Sequence, residues 1–297
     1  MNLKESMLNI AKDQIHAISE LKLAVVKAAH SEVLQSVKQV LEEIDAKLIL
    51  IDDKAALEEQ LKTYAIPAEK YEIIDIAEAF EASQKAVELV KQGEVNAIMK
   101  GHLSTGKLLK AVVDKEKGIR KSDLLSHVAV LYIPKLNRLV GVTDGGMVLQ
   151  PSKAEMQVIV EHAVSVFHKL GIKQPKVSLL SAAETVIPKL PASVFAQELT
   201  ETTADAIIEG PLSIDLSLDS AIAEDKHYDG AIQGDADIIA VPDIVSGNSL
   251  SKSLIMFGQA QMAGIILGAE VPIILTSRSS SADEKFSSVL LSQLLIS

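Results

Sequence analysis

Short runs of branched aliphatic residues recur from one end of this chain to the other, and stretches of helical period lie between them. Leu23–Val26, Leu48–Ile51, Ile73–Ile76, Ala97–Met99, Val177–Leu180, Ile238–Val241 and Ile273–Leu275 are short and almost wholly apolar. Such runs read as strands buried on both faces. Glu32–Ile44, Ala77–Lys91, Lys153–Leu170 and Asp283–Leu295 instead carry apolar residues at three- and four-residue spacing, the mark of helices with one face in a core. Parallel neighbours in a sheet need a crossover of that length, and the crossover helix covers the sheet face. The alternation therefore predicts an α/β fold built on parallel sheet. At 297 residues the chain is long enough for two domains.

The middle of the chain breaks the pattern. Val128–Ile133 and Arg138–Thr143 flank Pro134-Lys135-Leu136-Asn137, which reads as a hairpin. Gly141-Val142-Thr143-Asp144-Gly145-Gly146 then leads to a helix start, with Pro151 before Ser152 and Glu155 three residues on. The first domain boundary is placed at that glycine turn. No low-complexity linker separates the halves and no internal repeat is visible, so the two parts are expected to share strands or a broad interface. The N-terminus reads as an amphipathic helix over Leu3–Ser19, without the apolar core of a signal peptide. Ser253–Ala269 carries no formal charge and holds Gly264 and Gly268, but Gln259 and Gln261 interrupt it and Glu270 with Pro272 close it. It reads as a helix buried between the sheet and neighbouring helices, followed by a strand, and not as a membrane span.

Composition narrows the function. The chain has 29 Lys and Arg against 40 Asp and Glu, a net charge of −11, and only 3% aromatic residues with no Trp. That field repels a phosphate backbone, and base stacking is poorly supplied, so no nucleic-acid partner is expected. The absence of Cys removes disulfides, thiolate metal sites and a cysteine nucleophile, and fits a reducing cytoplasm. The seven histidines form no HxxxH pair. His162 and His168, six apart, lie roughly 240° around a helix and face apart. No metal site is expected.

Three strand ends carry candidate chemistry. Gly101-His102-Leu103-Ser104-Thr105-Gly106-Lys107 satisfies GxxxxGK, but Leu108 stands where a phosphate-binding loop needs a hydroxyl for Mg²⁺. Backbone N–H groups at such a helix start can still hold an anion without metal, with Lys100 and Lys107 adding positive charge. The competing reading is an ordinary strand-to-helix turn capped by Ser104 or Thr105, with His102 a structural residue. After the strand Ile273–Leu275 come Ser277, Arg278 and the acids Asp283 and Glu284. Arg278 suits bidentate recognition of phosphate or a developing oxyanion, and the carboxyl ends of parallel strands are where ligands bind. Ser281-Ala282-Asp283-Glu284 is also a capping box, which explains Glu284 without chemistry. After Val241, Gly247-Asn248 reads as a turn with backbone donors before an uncharged helix bearing Lys252, and Asp243 or Asn248 serves equally as its cap. The shared layout of the strand ends after Leu275 and after Val241 points to one cleft for an anion.

At these residues the sequence resembles the phosphate acetyl/butyryltransferase family, on its butyryl side. The likeness runs from about Leu23 to the C-terminus. It is carried by Ala97-Ile98-Met99-Lys100-Gly101-His102-Leu103-Ser104-Thr105, Val142-Thr143-Asp144-Gly145-Gly146-Met147, Glu209-Gly210-Pro211-Leu212-Ser213-Ile214-Asp215, Val241-Pro242-Asp243 with Ser246-Gly247-Asn248, and Thr276-Ser277-Arg278, in that order. The resemblance implies a two-domain α/β fold of isocitrate/isopropylmalate dehydrogenase-like architecture, usually homodimeric, with the active site in the interdomain cleft. The last strand and helix return to the first domain, which gives 1–144 plus 270–297 for one domain and 145–269 for the other.

It also implies reversible transfer of a short acyl group between coenzyme A and inorganic phosphate, with no cofactor beyond these substrates; the absence of Cys and of a membrane span adds the expectation of a cytoplasmic enzyme away from membranes. Ser277, Arg278 and an acid, Asp283 or Glu284, correspond to the family's catalytic group; Asp283 is preferred because Glu284 has the capping role. Lys100, His102, Ser104, Thr105, Lys107, Asp144, Gly247, Asn248 and Lys252 are the expected substrate-binding positions. Ser279 stands where acetyl-type members have glycine, and their early phosphate-binding arginine has no clear counterpart, so Lys100 or Lys107 substitutes for it. Both departures favour a butyryl-type substrate.

With no His-supported serine motif in view, direct transfer in a ternary complex is expected rather than an acyl-enzyme. The alternatives are a phosphate acetyltransferase, a dehydrogenase of the same fold, for which no clustered Asp ligands are evident, and a noncatalytic coenzyme A-binding regulator. Acyl transfer is expected to survive EDTA; activity lost to EDTA and restored by Mg²⁺ or Zn²⁺ would overturn the metal-free reading.

Overall fold

The computed structural model describes residues 2–13, 19–277 and 280–296. After the helix α1 (Leu3–Asp13), strand and helix alternate as β1 (Leu21–Val26), α2 (Ser31–Glu43), β2 (Ala46–Asp52), α3 (Lys54–Thr63), β3 (Tyr71–Asp75), α4 (Ala79–Lys91), β4 (Ala97–Lys100) and α5 (Thr105–Val112). The hairpin β5 (Ser126–Ile133) and β6 (Arg138–Thr143) follows, then α6 (Lys153–Lys169), β7 (Lys176–Leu180), α7 (Pro191–Leu199), β8 (Glu201–Thr202) and β9 (Ile207–Leu212). Next come α8 (Ile214–Leu218), α9 (Ser220–Asp225), β10 (Ile238–Ala240) and α10 (Ile244–Gly258). The chain ends with β11 (Gln261–Leu267), β12 (Ile273–Ile274) and α11 (Ala282–Leu295). Every strand read from the sequence is present within two residues of its expected ends. The expected N-terminal helix is observed through Asp13, and its continuation over 14–18 lies outside the described residues.

Contacts divide the chain into two compact units, a terminal one of Lys4–Leu125 with Ala263–Ser297 and a middle one of Ser126–Met262 with the residues before Lys4. The hairpin β5–β6, which the sequence reading places before a boundary at 144, groups with the segment after it.

In the terminal unit the strand order is β3-β2-β1-β4-β12-β11. β1 pairs in parallel with β2 (Leu23↔Leu48) and with β4 (Leu23↔Ala97), and β4 with β12 (Ile98↔Ile273). β11 is antiparallel to β12 (Ile265↔Ile274). The chain works outward from β1 through β2 to β3, then returns to lay β4 on the other side of β1. In open α/β sheets the carboxyl ends of the strands at such a reversal are where ligands bind. Helix α11 packs on β12 and β4 and on α2, with Phe286, Val289, Leu290 and Leu294 of α11 and Val33, Leu34, Val37 and Val40 of α2 all buried.

In the middle unit the order is β5-β6-β10-β7-β9-β8, with β6, β10, β7 and β9 mutually parallel and antiparallel strands at both edges. Its core gathers Leu131, Val140, Val142, Leu212, Leu216, Ile239 and Val241. The helix α6 starts with the full capping box of Ser152 and Glu155 expected from the sequence and packs the buried Phe167 against β6.

One expectation is corrected. Over Ser253–Ala269 the structure has the last turns of α10 and then β11, not a buried helix. In α10 only Gly247 and Ser251 are buried, and Met256 and Phe257 are 71% and 82% exposed. Freedom from charge is what the helix and the buried strand share, so composition alone merged them.

Gly141 lies under Phe167, and a Cβ there would sit 2.7 Å from Cε2 of the ring. Gly141→Ala is expected to lower stability by about 1–3 kcal/mol, the usual effect of overfilling a core. In urea unfolding, the pair Gly141→Ala with Phe167→Leu is expected to lose less than the sum of the single variants, because the smaller side chain vacates the contested space.

Candidate active site

In the terminal unit, the turn after β4 is stitched to the end of β1. Gly101 N–H donates to the Val26 carbonyl and His102 N–H to the Lys27 carbonyl, both at 2.8 Å. A Cβ on Gly101 would fall 2.1 Å from the Lys27 carbonyl oxygen, so this position admits only glycine. Lys100 is buried, and its Nζ donates to the carbonyls of Gly101 and Leu103 at 3.2 Å. Ser104 is the N-cap of α5, accepting from Lys107 N–H, and Thr105 is the first helical residue. Lys107 Nζ lies 3.3 Å from Glu78 Oε1. Glu78 in turn caps α4, and the N–H groups of Glu81 and Phe80 on its carboxylate, with Lys107, hold its pKa below the usual range. The GxxxxGK turn is thus braced from within by Lys100 and from outside by Lys107.

The His102 ring stacks on His30, with centroids 4.3 Å apart and planes within 5°. His30 Nδ1 lies 2.8 Å from Glu32 Oε2. The pair spans the loops after β1 and β4, on either side of the reversal in strand order. Sequence reasoning missed His30, whose only local signal is its place just before a helix start.

The parallel register of β4 and β12 sets the turn of Ser277 beside that of Lys100. Arg278 and Ser279 lie outside the described residues. Ser277 is exposed, and its carbonyl accepts from Ser280 N–H at 3.2 Å. Ser281 and Glu284 form the complete capping box read from the sequence, with Ser281 N–H donating to Glu284 Oε2 at 2.9 Å. Asp283 is exposed, and its Oδ1 accepts from Gln39 Nε2 of α2 at 2.8 Å. Lys285 is buried, and its Nζ donates to the Ser280 carbonyl.

In the middle unit, Asp144 is buried and wholly occupied by backbone. Its Oδ2 accepts from His127 N–H at 2.9 Å, and its Oδ1 from Gly146 and Met147 N–H at 2.7 and 2.8 Å. It shapes the turn after β6. The neighbouring strand end, after β10, meets that turn backbone to backbone: a Cβ on Gly247 would lie 2.7 Å from Gly145 Cα. Asn248 Nδ2 donates to the Gly145 carbonyl at 3.2 Å.

Gly247 and Asn248 are not in a turn before the helix, as the sequence reading has it. Asp243 caps α10 by accepting from Ser246 N–H and Oγ–H, both at 2.9 Å, so they lie within the helix. Lys252 is exposed one turn beyond Asn248. The expected substrate-binding positions therefore divide between the units, with Lys100 through Lys107 in one and Asp144, Gly247, Asn248 and Lys252 in the other.

Further polar groups in the middle unit were not among the expected site residues. His127 is buried with Nδ1 unpartnered; burial pushes its pKa down, against the pull of Asp144. His162 Nδ1 lies 2.7 Å from Ser126 Oγ, but Ser126 is fully buried and out of reach of a substrate. Lys226 Nζ meets Glu184 Oε1 at 2.8 Å and Asp215 Oδ2 at 3.3 Å, with Ser213 between them. Among the described residues, no three His, Asp or Glu side chains gather to hold a metal ion, and no helix is long and apolar enough to cross a membrane.

The family model "Phosphate acetyl/butaryl transferase" matches residues 78–292. A protein of Bacillus subtilis (strain 168) named "Probable phosphate butyryltransferase" is 38% identical over 95% of this chain and 95% of its own. A phosphate acetyltransferase of Rickettsia felis is 37% identical over 93% of this chain and 80% of its own. A crystal structure of a branched-chain phosphotransacylase from Enterococcus faecalis V583 superposes with a TM-score of 0.84 at 36% identity, covering 93% of this chain and 99% of the other. At the level of fold alone, 4-hydroxythreonine-4-phosphate dehydrogenase from Klebsiella pneumoniae aligns with a TM-score of 0.52 at 13% identity, in keeping with the dehydrogenase-like architecture expected from the sequence. The family match spans the strand-end motifs at Lys100–Thr105, Asp144–Met147, Gly247–Asn248 and Ser277–Arg278, and the chain belongs to the phosphate acetyl/butyryltransferase family of acyltransferases.

Proposed function

We propose that this acyltransferase moves a butyryl or similar short acyl group reversibly between coenzyme A and inorganic phosphate, by direct transfer in a ternary complex. Family membership through residue 292, with every strand-end motif in its expected order, carries this reading. The likeness to a butyryl-type and a branched-chain enzyme supports a butyryl or similar short acyl group, while the nearly equal identity to an acetyl-type enzyme supports the acetyl alternative. A homodimer working without metal or other cofactor completes the proposal on the strength of the resemblance, and the absence of Cys supports a cytoplasmic site.

In the transfer, a phosphate oxygen attacks the thioester carbonyl, the tetrahedral oxyanion collapses, and the C–S bond breaks to release the thiolate. The reverse reaction begins with the thiol, whose proton must leave before sulfur attacks. Arg278 stabilises the oxyanion as a fixed planar donor, and Ser277 hydrogen-bonds the sulfur or carbonyl oxygen. Asp283 accepts the thiol proton in one direction and returns it in the other. Its bond from Gln39 restrains the carboxylate while leaving Oδ2 for that exchange.

Phosphate-dependent thiol release from acetyl-, propionyl-, butyryl- and isobutyryl-CoA tests the reaction and the chain length together. Butyryl-CoA is expected to exceed acetyl-CoA in kcat/KM; the reverse order would assign the enzyme to the acetyl type, and no release from any of them would refute acyl transfer to phosphate. Arg278→Ala is expected to lower kcat by about 10²–10³, the scale of removing one oxyanion donor. Asp283→Asn is expected to lower kcat with partial recovery at higher pH, where thiolate forms unaided, and Glu284→Gln to matter far less because Gln still completes the capping box. A dead Glu284→Gln beside a healthy Asp283→Asn would transfer the role of base to Glu284.

A further inference from the structure

Lys285 stands in the first turn of α11, four residues after the N-cap Ser281, with only 3% of its surface exposed. A lysine there is unfavourable twice over. Its ammonium gives up water, and the positive end of the helix dipole repels it. Replacing a buried charge with an apolar side chain of similar volume is often neutral or stabilising, so fold stability does not explain this residue.

Its contacts point elsewhere. Nζ donates to the Ser280 carbonyl, and Ser280 N–H donates to the Ser277 carbonyl at 3.2 Å. The charges that face it are Glu32, from α2, and Glu284, from its own helix; they oppose the fall in its pKa that burial causes. Glu32 is the partner of His30, which stacks on His102. The buried ammonium thus lies on the loop after β12, and the field of Glu32 ties it to the pair that links the loops after β1 and β4.

We propose that Lys285 is a positioning residue for acyl transfer: by gripping the Ser280 carbonyl it fixes the backbone that presents Ser277. The inference rests on the role proposed for Ser277 above. Lys285 itself touches no substrate, and its effect is on the placement of a reacting group, where an error of about 1 Å costs on the order of 10²-fold in rate.

Lys285→Met and Lys285→Gln separate this from a packing role. Lys285→Met is expected to melt at or above the wild-type temperature and yet lose kcat on the order of 10²-fold, with KM for butyryl-CoA and for phosphate within about twofold. Lys285→Gln keeps an N–H donor on a stem one atom shorter and is expected to recover part of kcat. Hydrogen–deuterium exchange should quicken in the peptide that spans Ser277 and Ser280 and nowhere else.

Wild-type kcat in Lys285→Met would overturn the proposal. So would a loss of kcat accompanied by a lower melting temperature and faster exchange throughout, or a raised KM for phosphate at unchanged kcat, which would make Lys285 an anion ligand. Should Lys285→Met not fold, Lys285→Gln carries the same readouts. If the wild-type enzyme releases no thiol from any acyl-CoA, it is the proposed reaction that fails. The exchange measurement then still decides the grip on Ser280: a local change upholds it and no change refutes it.

Discussion

The hydrogen bonds from Gly101 and His102 to the carbonyls of Val26 and Lys27 carry the pairing of β1 and β4 past the ends of the strands. They form only because nothing projects from Gly101 toward β1. Their consequence is positional. They fix the mouth of the reversal in strand order, bring His102 onto His30, and set where α5 begins. The turn after β12 takes its place from β4 in turn, so Ser277 inherits its position from the same backbone contact.

Around this scaffold, charged side chains serve main-chain groups more than one another. Lys100 holds two carbonyls of its own turn, Lys285 holds the Ser280 carbonyl, and Asp144 collects three N–H groups. Charge-assisted bonds of this kind are stronger than neutral ones, and buried they have no water to compete with. Each binds backbone in the loop that follows a strand, where the chain leaves regular structure and its polar groups lose their ladder partners. The same residues that read as ligands for an anion thereby become the means by which irregular backbone is held still.

This explains which features the sequence revealed. β1, β4 and β10 were legible because burial on both faces leaves an uninterrupted apolar run, whereas β3, also read as buried, lies at the end of the strand order and is only partly covered. The capping boxes at Ser152 and Ser281 were legible because donor and acceptor lie within three residues. No strand was read over Ile207–Leu212, where Glu209 and Gly210-Pro211 break the apolar run; Glu209 turns out to accept from Ala231 and Ile232 N–H at 3.0 and 2.7 Å. β11 was hidden because its sequence continues the uncharged stretch of α10. Lys285 follows two acids at a helix start, the pattern of a solvated face, and its burial depends on α2, more than 240 residues earlier in the chain. The bond from Gln39 to Asp283 is equally remote. Residue types at the strand ends were therefore readable, whereas their partners were not.

The contact of Gly145 with Gly247 has a bearing on how the enzyme can be altered. It seats the first turn of α10 directly on the turn after β6, with no side chain between to act as a cushion. A side chain at either glycine must displace the whole helix, and the facing glycine has nothing left to give up, so neither position tolerates substitution, alone or together. The outer face of the same helix, with Met256 and Phe257, is exposed and bound by no such condition. A directed-evolution library that spares the two glycines and randomises that face would vary surface chemistry on a helix whose seat stays fixed.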